Sequence, residues 1–442
     1  VQVLHRPAPN AISGQGQFLE CIAIFSSSVN LVLSAALSLR AAKHARRLLV
    51  ASFGRRKAVI AGVCMTEQGD LSASSPQQVY WQVVKGAVAD AGLQLSDVDG
   101  LIGPAPEGLG LRQTLPGAAM ADLLGRPLRF QAYTSVGAAS TAAGIGPASW
   151  AIENGVADVV ILPTVSAGKG SGYTSADRGA AIAHMAKLGT PYEWLWGTTR
   201  VADHAVIAQR HMHEYGTTSE QLAEVAVAQR HGATLHPLSV MGRKGEITIN
   251  DVLNSRMVAE PLHLLDSCIV NQGAGCIVVA AEDRLDRARP KVHMLGYGQS
   301  HAYLDPNHLP DLTRFSGDVA ADTAFGVAGI GRGEIDVVSI SDHFTINVIV
   351  GLEEAGFCKK GEGGPFVENG ALRIDGRLPT NTAGGYLSCT HAANSGTFGL
   401  IELVEQLRGS AGARQVQDAR LGYIHGVGGV FQSHFAAVLA RD

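Results

Sequence analysis

The sequence lacks the cysteine and histidine spacings that mark a metal centre or a disulfide scaffold. Its six cysteines (Cys21, Cys64, Cys268, Cys276, Cys358 and Cys389) are scattered with no CxxC among them, so neither a zinc ribbon nor a disulfide framework is indicated, and they read as reduced cytoplasmic thiols. Sixteen histidines include no HExxH and no Cys/His ligand cluster, which leaves a metal site without support. An excess of positive charge is also missing. Lys and Arg number 35 against 39 Asp and Glu, a formal net charge of -4, and nucleic acid, which demands a basic face, is not expected as a partner. Charged residues are scarce at 17%, while hydrophobic residues reach 46% and glycine 53 of 442 positions. That profile suits a compact α/β enzyme with many tight turns, built as two or three domains or as one duplicated fold, and acting on a small or carrier-bound substrate.

Residues 1–55 stand apart. "FLECIAIFSSSVNLVLSAALSLRAAKHARR" is apolar for about the length of a membrane span, although Glu20 and Asn30 interrupt it. Its basic run, Arg40 to Arg47, follows the apolar part, whereas a secretory signal carries its positive charge first. A poorly ordered extension, or sequence from a start placed too far upstream, is expected here. A membrane anchor through residues 18–39 is the lesser alternative, and globular order should begin near Arg56.

From there strands and helices alternate. "RKAVIAGVCMTEQGD" reads as a strand ending at Gly62, followed by a helix in "SSPQQVYWQVVKGAVADAGLQLSDV". "DVDGLIGPAPEG" is a second strand, and "ADVVILPTVSAG" is a continuous apolar run typical of a strand buried on both faces. The middle is helical, with Thr218 and Gln221 forming a capping box, and reads as an insertion from about 168 to 262. After about residue 290 the same grammar returns: strands at "KVHMLGYG" and "EIDVVSISD", a helix at "TINVIVGLEEAGF", and a closing strand pair around "ARLGYIHGVGGVFQSHFAAVLA". "DVDGLIG" and "EIDVVSI" hold equivalent places, so a duplicated, layered α/β fold is expected, with no short-period repeat.

"SISDHFTINVIVGLEEAGFCKKGEGGPFVENG", "LPTNTAGGYLSCTHAANSGTFGLIELVEQLRG" and "RQVQDARLGYIHGVGG" together resemble the C-terminal half of the thiolase superfamily, nearest its sterol-carrier-protein-x or lipid-transfer-protein branch. "DAGLQLSDVDGL", "ASWAIENGVADVVIL" and "LAEVAVAQRHGATLHP" agree with the first half in order, so the resemblance runs from about Lys57 to Asp442. It implies an αβαβα thiolase fold, with an N-terminal half over 56–288 carrying the insertion above the active site, and a C-terminal half over 289–442. It also implies a CoA thioester as substrate with no bound cofactor, a homodimer, and in the aldolases of the branch a small OB-fold and zinc-ribbon partner protein.

The resemblance is only partly kept at the positions that carry thiolase chemistry. The nucleophile turn falls on Thr134, Ser135, Val136 and Gly137, so Thr134 stands where the family has its cysteine. A threonine oxyester would not readily return its acyl group to CoA, unlike a thioester. Thr134 and Ser135 otherwise read as caps of the next helix. His391 in "CTHAANSG" matches the family's GHP histidine and is expected to donate to a thioester oxygen as charge develops. His425 in "YIHGVGG" falls at or beside the second catalytic cysteine, within one or two positions, and would act as a general acid or base. In "SISDHF", Ser341 stands where thiolases keep Asn and would hold a water, with His343 reaching the same cavity. Cys389, on a segment read as extended and therefore facing the same way as His391, is a lesser candidate nucleophile; Tyr386 is a lesser candidate acid. Gly137 and Gly428 are the candidate backbone positions beside the substrate, and Gln272 in "SCIVNQGAG" replaces the usual Asp of a structural loop.

Three functions remain open. The leading one is retro-aldol cleavage of a β-hydroxyacyl-CoA, as in steroid side-chain degradation, run by His391, His425 and Tyr386 or His343 without an acyl-cysteine. The others are acetyl-CoA acyltransferase activity and a non-catalytic acyl-CoA or lipid-binding subunit.

Overall fold

The structure is a computed structural model that describes residues 56–105, 114–169, 199–304 and 308–442. The expectations for residues 1–55 and for the start of the insertion lie outside these described residues.

In chain order the first half comprises β1 (Ala58–Met65), α1 (Pro76–Asp90), β2 (Gly100–Ile102), α2 (Pro116–Leu124), β3 (Phe130–Ala132), α3 (Ser140–Ala143), α4 (Ile145–Glu153) and β4 (Val159–Ser166). Two long helices follow, α5 (Arg200–Tyr215) and α6 (Ser219–Thr234), then α7 (Ile249–Leu253), the short pair β5 (Met257–Ala259) and β6 (Leu262–His263), and β7 (Gly273–Ala281), which returns to the sheet. The second half runs β8 (Val292–His301), α8 (Gly317–Ala328), β9 (Val337–Ile340), α9 (Thr345–Glu354), α10 (Gly363–Val367), α11 (Gly396–Arg408), β10 (Leu421–Gly428) and β11 (Ser433–Arg441). The expected capping box starts α6, the Thr218 side chain accepting from the Gln221 amide and the Gln221 side chain accepting in return from the Thr218 amide.

The strands form one sheet in the order β3-β2-β4-β7-β1-β8-β11-β10-β9, and its two halves mirror each other about the centre. In the first, β2 pairs parallel with β4, and β7 runs antiparallel to both β4 and β1. In the second, β9 pairs parallel with β10, and β11 runs antiparallel to both β10 and β8. Thr380 bridges parallel to Val338 where β3 lies beside β2 in the first half. A single pairing, Ile60 opposite Val292, joins the halves. The duplication expected from "DVDGLIG" and "EIDVVSI" is therefore present as β2 and β9.

Packing turns these halves into five layers. Helices α4 and α11 lie centrally, with Ile145, Ile152, Leu403 and Leu407 packing against sheet residues of both halves, among them Leu162 and Leu439. Outside the first half, Val83, Val84 and Val88 of α1 cover Ile161 and Val278. Outside the second, α8 and α9 cover Val338 and Val438. Strands β4 and β7 are buried on both faces, which explains their unbroken apolar runs, each fully buried aliphatic side chain contributing roughly 1.5–3 kcal/mol.

Gly62 does not end β1, which continues to Met65 past an irregularity in its pairing between Ile60 and Gly62. It lets α1 approach: a Cβ at Gly62 would lie 2.0 Å from the Ala87 carbonyl oxygen. Gly62→Ala is therefore expected to destabilise the fold by about 1–3 kcal/mol through forced separation of strand and helix. Gly326→Ala, at an α8 position with nothing within 4 Å of the new Cβ, should be stabilising by up to about 1 kcal/mol. Urea unfolding of the two variants checks both signs.

Candidate active site

The site is organised by the segment that leaves β9. Ser341 to Phe344 run into α9, and the chain from Ser267 to Ile269 lies alongside: Ser267 bridges Phe344, the Cys268 amide donates to the His343 carbonyl at 2.9 Å, and the Ile269 amide donates to the Tyr386 carbonyl at 3.0 Å. The third strand of this arrangement is a helical turn. Gly384 and Gly385, with φ of 102° and 55°, begin a π-helical turn over Gly385–Cys389, which corrects the extended reading of this stretch. The carboxylate of Asp342 accepts from the amides of Tyr386 at 2.8 Å and Leu387 at 3.1 Å. A Cβ on Gly385 would sit 2.2 Å from that carboxylate, so only glycine fits.

This anchoring brings three sequence-predicted residues together. The ring centres of His343 and His391 are 5.2 Å apart, those of His343 and Tyr386 5.2 Å, and those of Tyr386 and His391 5.5 Å. Ser341, also expected here, is buried behind them; its Oγ accepts from the Val427 amide at 3.0 Å and lies 3.2 Å from the Tyr386 hydroxyl. Ser341 Oγ thus lies within hydrogen-bonding reach of the phenol. Asn271 accepts from the His391 amide at 2.8 Å and donates to Thr390 Oγ1 at 3.0 Å, which fixes the loop carrying the imidazole.

Burial keeps this cluster uncharged at neutral pH. It lowers His391 to about 4, with the backbone at Ile269 acting in the opposite direction; a neutral imidazole keeps one nitrogen as an acceptor. His343 is pushed well below the ordinary histidine value by burial and by its histidine neighbours. Burial raises the Tyr386 phenol, so it remains a hydroxyl donor. Asp342 is pushed up to about 7 by burial, against the two amides that favour its charge.

The other candidates lie elsewhere. Along β10, Tyr423, His425 and Val427 alternate onto the outer face, where the His425 ring lies 3.0 Å from His434 Nδ1 and next to Gly317. His425 is therefore a buried histidine of the outer layer, away from the cluster. The residue of β10 that faces the Thr134 turn is Gly426, whose added Cβ would meet Ala139 at 2.5 Å. Thr134 donates its hydroxyl to the Ser140 carbonyl at 2.6 Å, and Ser135 is exposed. Neither caps α3; instead the Ser140 hydroxyl accepts from the Val136 amide at 2.9 Å. Gly137 and Gly428 mark a backbone crossing, because a Cβ on Gly137 would lie 2.6 Å from Gly428 Cα. Gln272 is structural, accepting from the Leu71 amide and donating to the Gly168 carbonyl.

No described cysteine is poised as a thiolate. Cys389 is raised by burial and by the nearby Glu402 carboxylate; Cys268, beside Asp342 and missed by sequence reasoning, is pushed up to about 12 by burial. Cys64, Cys276 and Cys358 are raised as well, burial again being the main cause. A nucleophilic cysteine needs the opposite shift. Cys389 instead lines a cavity behind the turn with His236, Ser339 and Glu402. There His236, Glu402 and Glu405 have the donor types of a cation site, but Arg414 already pairs with both carboxylates at 2.9 and 2.7 Å. Among the described residues, no helix is long and apolar enough to cross a membrane.

Solved structures share this architecture. The chain superposes on the Ltp2-ChsH2(DUF35) aldolase with a TM-score of 0.75 and 31% identity, covering 88% of this chain and 98% of the other, and on a monomeric SCP2-thiolase-like protein from Mycobacterium smegmatis with a TM-score of 0.65 at 17% identity, over 87% and 78% of the two chains. Layered fold and site together define a thiolase-fold enzyme. Residues 298–441 match the family described as thiolase C-terminal domain-like. An acetyl-CoA acetyltransferase of Methanothermobacter thermautotrophicus is 35% identical over 85% of this chain and 97% of its own length. A steroid side-chain-cleaving aldolase of Thermomonospora curvata is 32% identical over 80% and 91%. The chain belongs to the thiolase superfamily, in its SCP2-thiolase branch.

The buried histidines set a pH dependence. His204, His236, His391 and His425 are each lowered to about 4, and His343 and His434 well below the ordinary value, all chiefly by burial. A base depressed in the fold contributes stability that is present above its unfolded pKa, about 6.5, and is lost as pH falls toward the folded value. The raised acids Asp266, Asp342, Glu354 and Glu405 act in the opposite direction but are fewer. The urea midpoint is therefore expected to fall between pH 7 and pH 4.5; a midpoint that holds or rises contradicts this balance.

Proposed function

We propose that the protein cleaves the Cα–Cβ bond of a β-hydroxyacyl-CoA by a retro-aldol reaction that uses no covalent acyl-enzyme. The observation that carries this reading is the Tyr386, His343 and His391 cluster, with ring centres 5.2–5.5 Å apart, in a chain whose described thiols are all raised. In this reading the bare ring nitrogen of His391 takes the β-hydroxyl proton. The Cα–Cβ bond breaks, its electron pair passes into the thioester as an enolate, and a ketone or aldehyde is left on the other fragment. The Tyr386 hydroxyl, set by Ser341, donates to the enolate oxygen. His391 then returns the proton to Cα, giving the shorter acyl-CoA and regenerating the neutral imidazole. The names of the Thermomonospora aldolase and of a 17-hydroxy-3-oxo-4-pregnene-20-carboxyl-CoA lyase of Mycobacterium tuberculosis, 34% identical over 80% of this chain and 92% of its own length, favour a steroid side chain as the acyl group.

The partner belongs to the same proposal. The likeness to the Ltp2-ChsH2(DUF35) aldolase supports a small DUF35 protein, of the OB-fold and zinc-ribbon kind, working with this chain. The place of β3 at the edge of the sheet among the described residues supports a homodimer.

The chain co-expressed with such a partner is expected to release a ketone or aldehyde and a shorter acyl-CoA from a steroid-type or simple β-hydroxyacyl-CoA, at a rate unchanged by thiol alkylation. Tyr386→Phe and His391→Ala should each lower kcat by about 10²–10³, followed by chromatography of both products. Condensation of acetyl-CoA without cleavage of either hydroxyacyl-CoA would instead favour the acetyltransferase reading.

A further inference from the structure

Strand β9 runs out of backbone partner just before the site begins. On the side away from β10, the Val338 amide donates to the Pro379 carbonyl at 2.9 Å, and the Val338 carbonyl accepts from the Asn381 amide at 2.9 Å. Two residues further along the strand, Ile340 turns its own amide and carbonyl to that same side. It is 1% exposed, so both groups need a partner within the protein. The chain opposite has already turned away: Asn381 has a φ of 53°, a left-handed conformation in which asparagine is enriched. The Asn381 side chain takes the place of the missing strand. Its Oδ1 accepts from the Ile340 amide at 2.9 Å, and its Nδ2 donates to the Ile340 carbonyl at 2.8 Å. Both tasks need a side chain that carries a donor and an acceptor together; an ionised aspartate offers acceptors only.

The same residue starts the turn that carries Tyr386. The Asn381 carbonyl accepts from the Gly384 amide at 2.7 Å, and Gly384 leads into the π-helical turn. Asp342 stands two residues after Ile340, and Tyr386 two residues after Gly384. One side chain and one carbonyl of Asn381 therefore tie together two segments whose far ends meet as the Asp342 carboxylate and the Tyr386 amide. None of these bonds touches the three rings, so an effect of Asn381 on the chemistry has to pass through the turn.

We propose that Asn381 is a positioning residue of the active site: by holding Ile340 it fixes the register at which Asp342 meets the turn, and with it the place of the Tyr386 hydroxyl. The kinetic consequence rests on the aldol reading; the placement of Tyr386 does not.

A double-mutant cycle in the chain co-expressed with its DUF35 partner separates positioning from plain destabilisation. Asn381→Asp, which loses the donor to Ile340, should lower kcat for a β-hydroxyacyl-CoA by about 10- to 100-fold while KM holds. Added to Tyr386→Phe, it should cost no more than about threefold, because the group it positions is already gone. Equal losses in the two backgrounds would make Asn381 a merely structural residue and overturn the proposal. Placement is read without turnover. The chain has nine tyrosines, few enough for 3-fluorotyrosine labelling to resolve their fluorine signals, and the signal missing from Tyr386→Phe belongs to Tyr386. That signal should shift in Asn381→Asp; an unmoved signal overturns the proposal whatever the kinetics. A chain that cleaves no β-hydroxyacyl-CoA, yet whose Tyr386 signal moves with Asn381, would defeat the aldol reading and leave the placement standing. Circular dichroism and thermal melting establish folding, with Asn381→Gly, which keeps the left-handed backbone without the side chain, as the second variant if the aspartate form misfolds.

Discussion

The rest of the site depends on one buried carboxylate. Asp342, at the end of β9, accepts the amide hydrogens of Tyr386 and Leu387 and so forces the chain at Gly384 and Gly385 into a π-helical turn. That turn places the Tyr386 ring against His343 and His391. The next residue after Asp342 is His343 itself, so one short segment both anchors the turn and supplies an imidazole. Removing the carboxylate would leave two buried amides without their acceptor and free the phenol from its place.

The same segment explains why the candidate proton-transfer groups are concentrated in the second half of a duplicated fold. The halves are alike in strand order, yet the turn after β3 carries Thr134 bonded to a backbone carbonyl, while the segment after β9 carries Asp342 and His343. Where the Thr134 turn meets β10, the facing residues are Gly426 and Gly428, packed so closely that neither position accommodates a Cβ. Neither side of that crossing offers an activated nucleophile. The polar groups able to move a proton are collected one loop away, where burial holds the histidines neutral and the tyrosine protonated.

Much of this was legible in the sequence, and the failures have physical causes. Apolar periodicity and the order of motifs were enough for the layered duplicated fold, and the capping box of α6 was readable from Thr218 and Gln221. His343, His391 and Tyr386 were all recognisable, but not as neighbours, because their meeting depends on the positive φ of two glycines. The same two glycines turned Cys389 toward Glu402 instead of His391. His425 was misplaced because strand alternation puts it on the face shared by Tyr423 and Val427, and a motif match alone does not report a face.

The central claim is that carbon–carbon bond cleavage proceeds on a non-covalently bound thioester. Acid quenching during turnover of a β-hydroxyacyl-CoA, followed by intact-protein mass spectrometry, tests it most directly. The account predicts an unmodified chain at every time point while products accumulate. An acyl adduct on Thr134 or on any cysteine, forming and decaying at the rate of turnover, would contradict it.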